Sequence, residues 1–166
     1  MKNPLPKLTL LFAFLLATTF AVEAQRASPA TSAEGMIGKA KVTIKYSQPS
    51  VKGRQIWGGL VPYNAVWRTG ANEATVFTTT GDITVGGETL KAGTYGLWSI
   101  PSEKEFTWIF SEIYDTWGTN YDAAKDVLRV TGPMKNRDNM EKMTFLVEEG
   151  KITLHWADKV ATLDAK

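Results

Sequence analysis

The chain contains no cysteine and a single histidine among its 166 residues. Without cysteine there are no disulfides, so apolar burial has to stabilise the fold even in an oxidising compartment. Zinc sites are built from sets of Cys, His and carboxylate ligands, and this chain supplies too few of them. It also lacks a phosphate-binding loop, a G-x-S-x-G elbow and a dinucleotide fingerprint. We therefore predict no metal and no cofactor.

The one histidine, His155, lies in a segment whose apolar residues alternate. Ile152, Leu154 and Trp156 share one face by the period of two that characterises a strand, so His155 points to the other face. A strand histidine in that position is more often exposed or hydrogen-bonded than catalytic. An enzymatic function is for this reason the less favoured interpretation.

An excess of one charge is missing as well, since 19 basic residues stand against 17 acidic ones. Such a balance gives no electrostatic reason to expect binding to nucleic acid or to an anionic membrane. The sequence does not indicate a protein partner either.

The only long apolar run lies at the N-terminus. The basic segment 1–7 is followed by the uncharged run 8–22, and Val22 and Ala24 suit the positions before a signal-peptidase cleavage site. An apolar run of about 15 residues falls short of the roughly 20 that cross a bilayer. We predict a signal peptide over residues 1–24, a periplasmic or secreted mature protein, and no stable membrane insertion after cleavage.

Residues 25–38 are rich in Ala, Ser and Thr and show no period. We predict a flexible leader there, followed by a single β domain over residues 39–166. The domain has ample material for a core, because it contains six Trp, five Tyr and the four of the seven Phe that lie outside the predicted signal peptide.

Strand patterns and turn signals recur through the domain. Residues 41–46 alternate between polar and apolar, and residues 106–110 place three aromatic side chains on one face. Gly86 and Gly87 separate two short strand patterns and suit a two-residue turn with positive φ. These signals predict an all-β fold, an antiparallel sandwich or barrel of about eight or nine short strands.

Three segments interrupt this regularity. Residues 111–126 are predicted to form one irregular insert with at most one short helix, which Asp122 would cap. Residues 132–142 are predicted to be a polar loop, and Asp158-Lys159 is predicted to be a turn.

Polar and aromatic side chains are densest between residues 46 and 73. Arg68 offers a rigid fork of donors suited to a carboxylate or a phosphate, Asn72 can donate and accept, and Glu73 can accept or act as an acid. Trp57 or Tyr63 could stack on a sugar ring. We predict a binding site for a small polar or saccharide-like ligand near one end of the fold. Its residues are Tyr46, Arg54, Trp57, Tyr63, Arg68, Asn72 and Glu73.

Two alternatives remain open. In a hydrolase or isomerase, Glu73 would be the general acid or base and Arg68 would stabilise a developing anion. That chemistry calls for a second carboxylate, such as Asp82 or Glu112, within about 10 Å of Glu73. In an envelope structural protein, the same cluster would only satisfy the polar groups of a long loop.

A weaker signal for calcium lies in the insert. Asp115, Asn120 and Asp122 are close in sequence and carry oxygen ligands, but they lack the spacing of an EF-hand loop. Turn formation and helix capping explain the same residues.

Longer motifs of the chain resemble a known family. Three motifs are similar to the secreted bacterial proteins catalogued as domain of unknown function 2911. They are YSQPSVKGRQIWGGLVPYNAVWRTGANEAT, LKAGTYGLWSIP, and WG with NYDAAKDVLRV. The resemblance covers about residues 39–163 and implies an all-β exported protein without an assigned activity. The matched positions are Tyr46, Ser47, Pro49, Arg54, Trp57, Gly58, Trp67, Arg68, Gly70, Asn72, Glu73, Gly93, Tyr95, Gly96, Trp117, Gly118, Tyr121 and Arg129.

Overall fold

A computed structural model describes residues 26–166, so the predicted signal peptide lies outside the described residues. This part of the chain consists of strands joined by turns and contains one 3-10 turn, η1, over Ala123–Lys125. The strands are β1 (Ala30–Ile37), β2 (Ala40–Ser47), β3 (Ala71–Thr79), β4 (Ile83–Val85), β5 (Glu88–Leu90), β6 (Gly93–Pro101), β7 (Glu105–Ser111), β8 (Asp126–Glu148) and β9 (Lys151–Asp164).

Seven strands form one antiparallel sheet in the order β1-β2-β3-β6-β7-β8-β9, and this sheet nearly closes into a barrel. The hairpin of β4 and β5 is a small second sheet. The prediction of an all-β antiparallel fold is confirmed. No helix within residues 26–166 is long and apolar enough to cross a membrane.

The alternation in the sequence defines the inside of the sheet. Val42 and Ile44 of β2 are fully buried, and so are Phe106, Trp108 and Phe110 of β7. Full burial of one such side chain stabilises the fold by about 1.5–3 kcal/mol relative to exposure. A chain without cysteine is therefore held together by this aromatic and aliphatic interior.

The two longest strands differ from the sequence prediction. Residues 132–142, predicted to be a loop, belong to β8, which pairs with β7 as far as Pro133 and with β9 from Met134 onward. The side chains of residues 135–142 are all exposed, so no alternation marks this strand in the sequence. The predicted turn at Asp158-Lys159 is likewise wrong, because backbone pairing carries β9 through it.

The predicted flexible leader is also wrong over most of its length. Residues 30–37 form β1, which pairs with β2 along its whole length. Three of its four inward positions hold Thr31, Ala33 and Gly35 in place of large apolar residues, and this hides the strand pattern. Gly35 shows why: a Cβ there would collide with the carbonyl oxygen of Val147 and lie 2.9 Å from the Val147 Cβ. The small side chains let β1 approach β8 and bring the sheet near closure.

The connections on either side of β3 cover opposite ends of the sheet. The long loop of residues 48–70 joins β2 to β3 at one end, and the β4–β5 hairpin follows β3 at the other. Gly86 and Gly87 have φ of 56° and 91°, as the predicted two-residue turn requires. Val85 bridges to Ala165 and is fully buried, so the hairpin contributes to the core.

The irregular insert, residues 112–125, lies against the outer face of the sheet. It covers a small second core of Ala74, Trp98 and Ile109. Gly96 permits the close approach, since a Cβ there would collide with the carbonyl oxygen of Ile113. The insert contains η1, whose N-cap Asp122 accepts a hydrogen bond from the Ala124 N–H at 2.9 Å, as predicted.

Candidate functional site

The tryptophans of the long loop belong to the core. Trp57 is 6% exposed, and its ring packs edge-on against Trp67 and Trp156 with centroids 5.7 and 6.1 Å away. Its indole N–H donates to the Trp156 carbonyl at 3.0 Å. Trp57 therefore has no free face for a sugar ring, and the predicted stacking role is corrected to a structural one.

Tyr46 is likewise part of the interior. Its ring meets Phe145 edge-on at 4.9 Å, and its hydroxyl accepts a hydrogen bond from the Phe145 N–H at 3.3 Å. Burial raises the pKa of the Tyr46 phenol. This tyrosine joins β2 to β8 and does not present its hydroxyl to a ligand.

Arg54 holds the long loop in shape. Its Nε donates to the Val51 carbonyl at 3.0 Å and its Nη2 to the Ser50 carbonyl at 2.6 Å. The guanidinium is exposed, but these contacts occupy it with backbone oxygens that a loop must satisfy.

The turn between Arg68 and Glu73 has a strained backbone. Thr69 and Asn72 have φ of 51° and 58°, a left-handed conformation that is unusual for a β-branched residue such as Thr69. The fully buried Thr69 hydroxyl donates to Ser99 Oγ at 2.8 Å, and the Thr69 carbonyl accepts from Thr75 Oγ1 at 2.9 Å. These buried bonds hold a conformation that costs on the order of 1–3 kcal/mol at each such residue.

Glu73 lies beyond this turn, in a shallow depression that Lys45 and Ser47 also line. Its carboxylate forms an ion pair with Arg26 at 2.6 Å, and both side chains are about half exposed. Hydrogen bonds lower the pKa of the Glu73 carboxyl. The largest single effect comes from the bond donated by the Glu73 backbone N–H, and the next from Arg26. An ionised, paired carboxylate of this kind is a poor general acid.

Asn72 fastens two neighbouring segments to β3. Its side-chain amide donates to the Ser28 carbonyl at 3.2 Å. Its backbone carbonyl accepts from the Gly118 N–H at 3.0 Å, next to a bridge between Glu73 and Trp117. Asn72 thus serves as a structural junction between the N-terminal segment and the insert.

Arg68 lies before the turn and lines a different depression, of about 450 Å³. The guanidinium makes no hydrogen bond and no ion pair with any residue of the described chain, 26–166. Its stem packs against Gly118, where a Cβ would lie 2.6 Å from Arg68 Cδ. The other lining residues are Val66, Trp67, Trp98, Thr119 and Tyr121.

Hydrogen bonds between the insert and the strands β6 and β8 fix the wall of the Arg68 depression. Trp98 Nε1 donates to the Gly118 carbonyl at 3.0 Å. The Tyr121 hydroxyl donates to Asp126 Oδ2 and accepts from Arg129 Nη2, both at 2.7 Å. Burial is the main cause of the raised pKa of the Tyr121 phenol. This wall is therefore held in place before any ligand arrives.

Tyr63 lines a third depression, at the rim where the long loop meets the turn between β6 and β7. The ring is half-buried, and burial raises the pKa of its phenol, with the Glu103 and Asp158 charges adding to the effect. Arg68, Glu73 and Tyr63 therefore line three separate depressions, and of the seven predicted site residues only Tyr46 and Glu73 line the same one among the depressions described.

The residues that the other hypotheses invoked are apart from these depressions. Asp82 lies beyond the far end of β3, where it accepts hydrogen bonds from the Ala92 N–H and the Lys91 ammonium. Glu112 Oε2 lies 3.8 Å from Lys125 Nζ. His155 is half-buried, and burial lowers the pKa of its imidazole. Among residues 26–166 no group of three or more His, Asp or Glu side chains is placed to hold a metal ion.

Sequence reasoning missed Trp98 as a site residue. The signal was present, because Trp98 alternates with the core residue Leu97 and must point to the outer face of β6. A large aromatic on an outer face indicates that something covers it, and here the insert does so.

The fold and its depressions define a cysteine-free, antiparallel β domain with an aromatic depression, whose arginine has no partner among residues 26–166. A family model, described as protein of unknown function (DUF2911), matches residues 28–164. The match covers most of the chain, which therefore belongs to this family. No curated protein and no solved structure matches the chain significantly.

Proposed function

We propose that the protein is an exported binding module that takes a small carboxylated, saccharide-like ligand in the Arg68 depression. The observation that carries the proposal is the Arg68 guanidinium, which lies among aromatic side chains and has no partner in the part of the chain that the structure describes. A guanidinium presents parallel donors that match a carboxylate in a bidentate pair. Export is supported by the N-terminal sequence pattern.

The aromatic lining supports a ligand with an apolar face. Tyr121 is half-buried and lies beside Arg68, so a ring can pack on it while its carboxylate meets the guanidinium. Trp67 supports this wall from the inner side, because its ring stacks on the buried Trp156 with centroids 5.8 Å apart. Because Trp98 and the insert already hold this wall, little side-chain entropy is lost on binding.

The chemistry of the lining supports binding over catalysis. Among the described residues that line the depression, Arg68 is the only charged one, and no Asp, Glu, His or Lys accompanies it. The Tyr121 hydroxyl is already engaged with Asp126 and Arg129. General acid-base catalysis needs a group with a suitable pKa within hydrogen-bond reach of the substrate.

Isothermal titration with galacturonate and with neutral galactose tests the proposal. Galacturonate should bind, galactose should bind more weakly, and Arg68→Gln should weaken galacturonate binding at least about tenfold, the loss expected for a charge-assisted pair. Arg137→Gln is the matched control, because Arg137 is exposed and lies outside the depression. Equal binding of both sugars, or equal effects of both variants, would contradict the proposal.

A further inference from the structure

The rim depression around Tyr63 has an excess of positive charge. Its volume is about 430 Å³, and three lysines line it against one carboxylate, that of Glu103, among the described residues. Two further carboxylates lie near but outside this lining: Glu105 lines the adjoining depression, and the charge of Asp158 acts on Tyr63. Its lining is Tyr63, Glu103, Lys104, Met134, Lys135, Asn136 and Lys159. It shares Tyr63, Glu103 and Lys104 with an adjoining depression that Asn64 and Ser102 also line, and the two together form the rim site.

The three ammonium groups are available to an anion. Lys159 Nζ donates to Asn136 Oδ1 at 2.9 Å and to the Glu103 carbonyl at 3.4 Å, both uncharged oxygens, and these contacts orient it. Lys104 and Lys135 are exposed, and within residues 26–166 none of the three lysines forms an ion pair. Anions are attracted to such a site from solution.

The same two chain segments line the rim depression and the Arg68 depression. Residues 64–67 run beside β6: Asn64 N–H donates to the Pro101 carbonyl at 2.8 Å, and Trp67 exchanges two hydrogen bonds with Ser99. β6 contributes Trp98 to the Arg68 depression, while Ser102, just beyond its end, lies at the rim. A strand rise of about 3.3 Å per residue separates these two positions by roughly 13 Å.

Uncharged side chains line a strip of the described chain between the two depressions. Val66 is 42% exposed, and by alternation it shares the outer face with Arg68. Ile100 is half-buried on the neighbouring strand, and beside it Thr107 and Thr131 hydrogen-bond to each other at 2.9 Å. A ring-bearing chain can therefore cross this strip without desolvating a charge.

We propose that one ligand spans both depressions: an oligosaccharide with repeated carboxylates, one bound by Arg68 and another by the lysines around Tyr63. The inference rests on the proposed function of the Arg68 depression and extends it from a single sugar to a chain. Two linked contacts bind more tightly than one, because the second forms at a high effective concentration.

Titration calorimetry with galacturonate, digalacturonate and tetragalacturonate tests the inference. The tetramer should bind at least about tenfold more tightly than the monomer, since it alone is long enough to reach both depressions. In the double variant Lys135→Gln/Lys159→Gln, the tetramer should lose most of this advantage while monomer affinity stays unchanged. Lys39→Gln/Lys142→Gln, two exposed lysines outside the rim depression, is the control for loss of charge.

The outcomes separate the two proposals. If the monomer binds through Arg68 but the tetramer gains nothing, the proposed function stands and the spanning ligand is refuted. A tetramer advantage that survives in the Lys135/Lys159 variant, or falls equally in the control variant, also refutes it. Failure of every uronate to bind overturns both proposals. Melting curves of the variants establish that the comparison is between folded proteins.

Discussion

The Arg68 guanidinium and the Glu73 carboxylate flank one short turn, yet they line separate depressions and do not pair. The left-handed residues Thr69 and Asn72 redirect the chain between them. Glu73 pairs with Arg26, whereas Arg68 has no partner within the described chain. The group that stays unpaired next to an aromatic wall is the one that a ligand would satisfy.

Trp57 and Trp117 should respond to truncation in opposite ways. Trp57→Ala removes a buried ring and its bond to the Trp156 carbonyl, so we expect a loss of about 3–5 kcal/mol in the free energy of unfolding. Trp117 is 48% exposed, and Trp117→Ala should change that free energy by no more than about 0.5 kcal/mol. Urea denaturation measures both, and equal effects would contradict the assignment of Trp57 to the core.

Gly118 should be required for the shape of the Arg68 depression. A Cβ there would lie 2.6 Å from Arg68 Cδ and 2.8 Å from the Asn72 carbonyl oxygen, so Gly118→Ala should cost about 1–3 kcal/mol and displace the Arg68 stem. Gly81→Ala is the control, because a Cβ at position 81 would lie 3.3 Å from the Ala40 Cβ, which is a milder contact than those at Gly118. Thermal melts and galacturonate titrations of the two variants should differ, and a Gly118→Ala protein with unchanged binding would refute the packing described.

The contact between Arg26 and Glu73 predicts a pH effect of known sign. A hydrogen bond from the Glu73 backbone N–H, and after it the Arg26 contact, lower the pKa of Glu73 in the folded state, so the stabilisation from the contact is complete above the ordinary carboxyl value. It is lost as the pH falls through the lowered pKa. Arg26→Gln should raise the pKa of Glu73 in an NMR titration and cost less than about 1 kcal/mol, as for an exposed ion pair. An unchanged pKa would show that the pair does not persist in solution.

Gly35 tests the near closure of the sheet. A side chain at this position would collide with Val147 of β8, so Gly35→Ala should destabilise the protein by about 1–3 kcal/mol. Amide hydrogen exchange should speed up in β1 more than in β7. If the variant changes the exchange rates of β1 and β7 by the same factor, β1 is not held against β8.

Much of the fold follows from alternation and turn chemistry. The buried faces of β2 and β7 and the turn at Gly86 and Gly87 were all predictable, because each depends on residues that are neighbours in sequence. β1 and the middle of β8 were not. Their side chains are small or exposed, and only pairing with distant strands reveals them.

The candidate site was predictable as a location but not as an arrangement. The density of polar groups points to the region around Arg68, but the sequence gives no sign that a threonine at position 69 is left-handed. Burial of Tyr46 and Trp57 likewise depends on Phe145 and Trp156, from strands near the other end of the chain. The role of each polar residue was therefore set by tertiary contacts.

The most direct measurement is a titration of the protein with galacturonate, followed by the NMR signal of the Arg68 side-chain Nε–H. We expect this signal to shift and saturate at the same ligand concentration as the calorimetric binding curve, because a carboxylate forms charge-assisted hydrogen bonds with the guanidinium. The Arg54 and Arg137 signals should stay unchanged. An Arg68 signal that does not move while galacturonate binds would place the ligand elsewhere and contradict the central claim.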